Sequence, residues 1–167
     1  EHIASTMLYM TRFEEAWEKA QTTLPIAQAI GDRLHESSLL TMSIPFYQIR
    51  QGNLAAADAS LAQGLEIAER IRATYSLVYG YWLRGEIARW QGRYEEAIGY
   101  QRRSLAVATP LEAYMPFLVV QPLGALGSVY LEISAQLTAQ IFEFHHYALK
   151  LLENPMTTFG GGTPWAD

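Results

Sequence analysis

One motif is written three times in this chain, about forty residues apart, and that period constrains the fold more than any other feature. Residues 12–30 read RFEEAWEKAQTTLPIAQAI, residues 53–71 read NLAAADASLAQGLEIAERI, and residues 93–108 read RYEEAIGYQRRSLAVA. Each opens on a bulky apolar residue (Phe13, Leu54, Tyr94), carries an alanine three positions on (Ala16, Ala57, Ala97), and places a leucine eight positions later (Leu24, Leu65, Leu105). A repeat of this length implies a solenoid, in which no unit buries its own apolar face and neighbours cover one another.

The period resolves into helix pairs. Apolar residues recur three and four apart within 53–71 and 93–108, and no segment alternates with period two, so no sheet is expected. The units are 1–31, 32–72, 73–110 and 111–155, with 156–167 leading toward a further repeat. Residues 2–10 are read as the end of a first leading helix, with 34–51, 74–91 and 112–133 as the later leading helices. Their partners are 12–30, 53–71, 93–108 and about 137–153. Gly52 and Gly92 fall where a leading helix must end in a left-handed residue, and Gly31 ends a partner helix. Thr11 and Ser134 stand where the first and fourth units would carry that glycine. Pro45 predicts a kink, Pro25 a bend, and Pro116 with Pro122 a break or late start of the fourth leading helix. Thr163 and Pro164 fit the cap and first turn of a fifth leading helix, and with no polar capping helix legible at either end the chain is expected to be a fragment of a longer array.

Composition narrows the chemistry. Half the residues are hydrophobic and 17% charged, enough apolar surface for a continuous core. A net charge of −5 without a basic run argues against nucleic acid as a partner. Cysteine is absent, so thiolate metal sites are excluded and a reducing, cytoplasmic setting fits. The uncharged run between Glu112 and Glu132 has the length of a bilayer crossing, but its prolines and glycines and its acidic flanks favour a buried solenoid helix over a membrane span. No catalytic residues, metal ligands or cofactor site emerge. His145 and His146 are adjacent and diverge on a helix, and Glu14–Glu15 and Glu95–Glu96 suit the positive end of a helix dipole.

Residues 81–108, YWLRGEIARWQGRYEEAIGYQRRSLAVA, resemble the tetratricopeptide repeat: Gly85 stands at the small residue of the leading helix, Gly92 at the turn, and Tyr94 and Ala97 at the opening of the partner. Leu126, Gly127 and Tyr130 carry a second copy of the leading-helix signature. The longer period is similar to the C-terminal repeat regions of bacterial signalling proteins, among them LuxR-type activators and AAA-type or cyclase-linked regulators. The resemblance implies an all-α, right-handed α-solenoid acting as a non-catalytic protein–protein interaction scaffold. Its concave groove, lined by leading helices, would take a peptide or protein segment.

Carried onto this chain, the groove residues are Met42, Phe46 and Arg50 with Leu39 and Ile49; Tyr79, Trp82, Glu86, Arg89 and Trp90; and Gln121 and Ser128 with Leu131 and Glu132. Aromatic anchors beside Arg and Glu suit peptide recognition. The same residues admit a plainer reading, with Trp82 and Trp90 as core between repeats and Glu86–Arg89 as a surface pair. A small-molecule or autoinducer-type sensor using the same groove is the alternative function. Self-association through uncapped solenoid ends is a third possibility.

Overall fold

The computed structural model describes residues 13–113 and 115–153, and every element among them is helical, so the chain is all-α. The expected leading helix at 2–10, the stop at Asn154–Pro155 and the start of a fifth helix at Thr163 lie outside the described residues. In chain order the helices are α1 (Phe13–Ile30), α2 (Arg33–Ser38), a π-helical turn (Leu39–Ser43), α3 (Ile44–Arg50), α4 (Leu54–Ile71), α5 (Thr74–Trp90), α6 (Tyr94–Ala108), a short 3-10 turn (Thr109–Leu111) and α7 (Phe117–Glu153). Two compact units divide between Val129 and Tyr130.

Four helix ends are built alike. At Gly31, Gly52, Arg72 and Gly92 the backbone turns left-handed, with φ of 72, 74, 55 and 72°. In each, this residue and the next donate their N–H groups back to the helix. Gly52 reaches the Ile49 carbonyl at 2.9 Å and Asn53 that of Gln48 at 2.8 Å, while Gly92 reaches Arg89 at 2.9 Å and Arg93 reaches Ala88 at 2.9 Å. This is the Schellman arrangement, which satisfies carbonyls the helix end would otherwise leave open. Two of the helices that follow gain a side-chain cap: Asp32 Oδ1 accepts from His35 N–H and Asn53 Oδ1 from Ala56 N–H, each at 3.1 Å. The His35 N–H, helped by the His35 ring and opposed by desolvation, holds the Asp32 carboxyl below its ordinary range.

The first unit buries three apolar clusters. Ala20, Leu39, Leu40 and Ile44 pack with Trp17, Leu24 and Ile67. Ala57, Leu61, Leu83 and Ile87 pack with Phe46, Ile49, Leu54 and Trp82. Met42, Val78, Tyr79, Ala108 and Leu118 pack with Trp82, Val107, Leu111 and Val119. The repeated alanines Ala16, Ala57 and Ala97 are all fully buried, as a side chain at a close helix contact must be. Small residues set the closest approaches: a Cβ on Gly64 would stand 2.9 Å from the Leu40 carbonyl carbon, and one on Gly80 would stand 2.7 Å from Leu65 Cδ2.

Proline acts differently at each site. Pro45 does not merely kink the second leading helix. It follows a π turn, in which the Ile44 N–H reaches the Leu39 carbonyl five residues back. The wider turn shifts the hydrogen-bond register just ahead of the residue that has no N–H to donate. Pro25 and Pro122 sit inside α1 and α7 without ending them, and α7 starts directly after Pro116.

The fourth pair departs from expectation. No turn forms at Ser134, and α7 runs helical from Phe117 to Glu153. Serine lacks glycine's freedom at positive φ. Its hydroxyl here donates to the Leu131 carbonyl at 2.9 Å, and Thr138 donates to the Ser134 carbonyl at 2.8 Å, so both side chains stay within the helix. Nor is the uncharged run a buried helix. In the first unit, Leu118, Pro122, Ala125 and Val129 are buried along one stripe, whereas Phe117, Val120 and Leu123 on the other side are 46, 64 and 57% exposed. Phe117–Glu143 is long and apolar enough to cross a membrane, by length and composition only.

The second unit, from Tyr130, comprises the remainder of α7 among the described residues. Here Tyr130, Leu131, Leu137, Ile141 and Phe142 are all exposed.

Candidate functional site

Helix α5 carries most of the candidate residues. Its spacing stacks Tyr75 on Tyr79, with ring centroids 5.2 Å apart, and sets Tyr79 edge-on to Trp82 at 6.0 Å. Trp82 meets Phe46 of α3 at 5.7 Å, and Tyr75 meets Phe117 at 6.2 Å. Five rings thus form one connected series, at separations typical of favourable aromatic pairs.

Beyond Trp82, α5 turns polar. Arg89 Nη2 donates to Glu86 Oε2 at 2.8 Å, with the two side chains only 16 and 12% exposed. This is a largely buried ion pair rather than a surface one. The Arg89 guanidinium also lies 5.7 Å from the ring centre of Trp90, which is itself 48% exposed. Gln101 of α6 enters from the other side: its Nε2 donates to the Trp82 carbonyl at 3.1 Å and lies 3.5 Å from Glu86 Oε1. A Cβ on Gly85 would overlap that amide. Among the described residues Gln101 Oε1 is buried without a hydrogen-bond partner.

The expected groove residues divide into three groups. Phe46, Trp82, Glu86, Arg89 and Trp90 remain at or near the surface of α3 and α5. Met42, Tyr79 and Leu39 do not line a groove: they are 6, 2 and 1% exposed and belong to the core. Both sides of these leading helices are apolar, so spacing alone does not tell the lining side from the packed one. Arg50 is exposed but engaged elsewhere, its guanidinium carbon 3.8 Å above the Phe13 ring. Ile49 is half-buried in the cluster around Leu61 and Leu83. On α7, Gln121 and Ser128 are half-buried, and the Ser128 hydroxyl donates to the Gly124 carbonyl at 3.1 Å. Leu131 is 71% exposed and Glu132 half-buried.

A concavity on α6 escaped the sequence reading. Glu96, Gly99, Tyr100 and Arg103 of α6 line an open cavity of about 200 Å³. The guanidinium groups of Arg84 and Arg103 lie 5.2 and 5.9 Å from the Tyr100 ring centre. Arg84 is held by Asp58 at 2.9 Å; burial opposes its charge, but the Asp58 hydrogen bond and charge outweigh this and raise its pKa. Next to it, Tyr81 donates to Glu69 Oε1 at 2.7 Å, and burial, reinforced by that carboxylate, pushes the phenol up to about 12. The available signal was Gly99, an exposed glycine inside a helix where an added Cβ would meet nothing within 4 Å.

Among the described residues no three His, Asp or Glu side chains gather as a metal cluster. Helix α5 and its neighbours thus present aromatic faces, one exposed indole and a part-buried charge pair. No protein-family model matches the chain, and no curated protein matches it significantly.

Proposed function

We propose that the chain is a right-handed solenoid of tetratricopeptide-like helix pairs and works as a non-catalytic interaction module, taking a peptide or protein segment on the α3–α5 face. The fold reading is supported by four equivalent helix ends about twenty residues apart, and by small residues at the helix contacts. In this reading the module belongs to a larger bacterial, cytoplasmic protein of signalling or transcription control. Binding there would bias the state of the parent protein.

The observation that carries the binding reading is Trp90, about half exposed beside the Arg89–Glu86 pair. Trp and Arg held in place by neighbours are among the residue types that dominate interface energy. Phe46 and Trp82 would extend the apolar contact, and the fixed charge pair would orient a polar backbone or side chain. The test is selection of a displayed random-peptide library on the whole chain. Enriched peptides should lose about tenfold or more in affinity to Trp90→Ala, a typical hot-spot truncation, while helical circular dichroism is retained. Failure to enrich any peptide, or undiminished binding by the variant, overturns the reading. Saturable quenching of Trp fluorescence by fractions below about 1 kDa, without peptide enrichment, would place the small-molecule sensor ahead of it.

A further inference from the structure

The exposed stripe of α7 in the second unit has a pattern of its own. Tyr130, Leu131, Ser134, Leu137, Thr138, Ile141 and Phe142 recur at helical spacing and share one side of the helix. All seven are exposed, with Leu131 and Phe142 each at 71% and Ile141 at 67%. No charged residue interrupts the stripe; Glu132 and Glu143 project from the opposite side of the helix.

Six of the seven stripe residues pair like with like when the stripe is reversed about position 136. Run antiparallel to itself, Tyr130 falls level with Phe142, Leu131 with Ile141 and Ser134 with Thr138, while Leu137 falls level with Ala135 at the edge of the stripe. Bulky residues meet bulky ones at both ends, and hydroxyls already bonded to their own helix carbonyls meet in the middle. The five large side chains at these exposures offer on the order of 500 Å² per copy, so a pair reaches the roughly 1,000 Å² that a specific interface requires.

We propose that the stripe Tyr130–Phe142 is a self-association surface, occupied by the same segment of a second copy of this chain in antiparallel, two-fold symmetric contact. The occupant is chosen by the like-with-like order of sizes about position 136 and by the area the stripe offers, and it does not depend on the α3–α5 face. A two-fold contact uses one patch on both partners, which is what a self-complementary stripe supplies.

Sedimentation equilibrium on the whole chain tests it. The wild type should associate to a dimer at micromolar concentration. Leu131→Glu and Ile141→Lys should each weaken the dimer by about tenfold or more, because each sets a lone charge against an apolar partner. The double variant should recover most of that loss, since Leu131 of one copy is level with Ile141 of the other. Because the chain has no cysteine, Ser134→Cys with Thr138→Cys should form a disulfide-linked dimer on mild oxidation far faster than Ser134→Cys alone. Helical circular dichroism of the variants reports whether α7 persists, and the cysteine pair replaces the charged variants if it does not. A wild type that stays monomeric, a double variant no better than the singles, or faster linking by Ser134→Cys alone overturns the proposal. So does a monomer that floats with phosphatidylcholine vesicles, which would assign the stripe to a lipid surface.

Discussion

Gln101 occupies the space that Gly85 leaves empty. The amide of α6 lies where a Cβ of α5 would be, and donates to the Trp82 carbonyl three residues before that glycine. Gly85→Ala raises helix propensity by about 1 kcal/mol, yet it forces the buried amide out of its bond. We expect a net loss of about 1–3 kcal/mol, the cost of overpacking and of an unmade buried hydrogen bond, read as a lower urea midpoint. Gly99→Ala on the same hairpin is the control. With nothing within 4 Å of the added methyl, it should raise stability by about 0.5–1 kcal/mol.

Arg72 is the one non-glycine among the described residues with positive φ, and it sits where Gly31, Gly52 and Gly92 sit in the other helix ends. An arginine held left-handed is strained. Arg72→Gly should therefore stabilise the chain by about 0.5–1 kcal/mol, and Gly52→Ala should destabilise it by a similar amount. Thermal unfolding of the two variants, compared with the wild type, decides it.

How much was legible in the sequence follows from these same positions. Gly52 and Gly92 announced helix ends because only a residue free at positive φ closes that turn cheaply, and the structure puts both at positive φ. Arg72 closes an equivalent turn and gave no signal. The expected turn at Ser134 rested on spacing without a residue that enforces it, and local helix propensity prevailed. Pro45 was legible as a disturbance but not as a π turn, because that choice depends on which residues of 39–44 must face Gly64 and the α4 surface. Phe46, Trp82 and Arg89 keep part of their surface, as residues beside a packed cluster can. Met42 and Tyr79 keep almost none, a difference hidden in the sequence because an apolar residue on a helix buried from two sides reads alike whichever side it faces.

Tyr81 predicts a stability effect at alkaline pH. Its pKa rises from 10 to about 12 on folding, through burial and the Glu69 acceptor. The folded chain thus holds the phenol proton more tightly than the unfolded one. That contribution is complete below pH 10 and is lost as pH climbs from 10 through 12. The wild type should lose stability over that window more steeply than Tyr81→Phe, and the gap between them should be constant at lower pH. Urea midpoints at pH 8, 10 and 11.5 measure it.

Gln101→Glu sets a carboxylate beside Glu86, whose Oε1 is 3.5 Å from the present amide nitrogen. Two adjacent, poorly solvated acids do not both ionise without penalty. We expect the variant to be destabilised by at least about 2 kcal/mol near neutral pH and to recover part of this on acidification, as one acid takes up a proton. Equal destabilisation at pH 4 and pH 7 would show that lost geometry, not charge, is responsible.

The Gln101 amide also guards against slippage. Apolar helices tolerate sliding by a turn, because one leucine replaces another at little loss. Moved one turn along α5, α6 would press this amide against Tyr81 or Arg89 instead of the vacant position at 85, parting its protons from the Trp82 carbonyl. A single polar group with one berth can thus hold two otherwise greasy helices in one alignment.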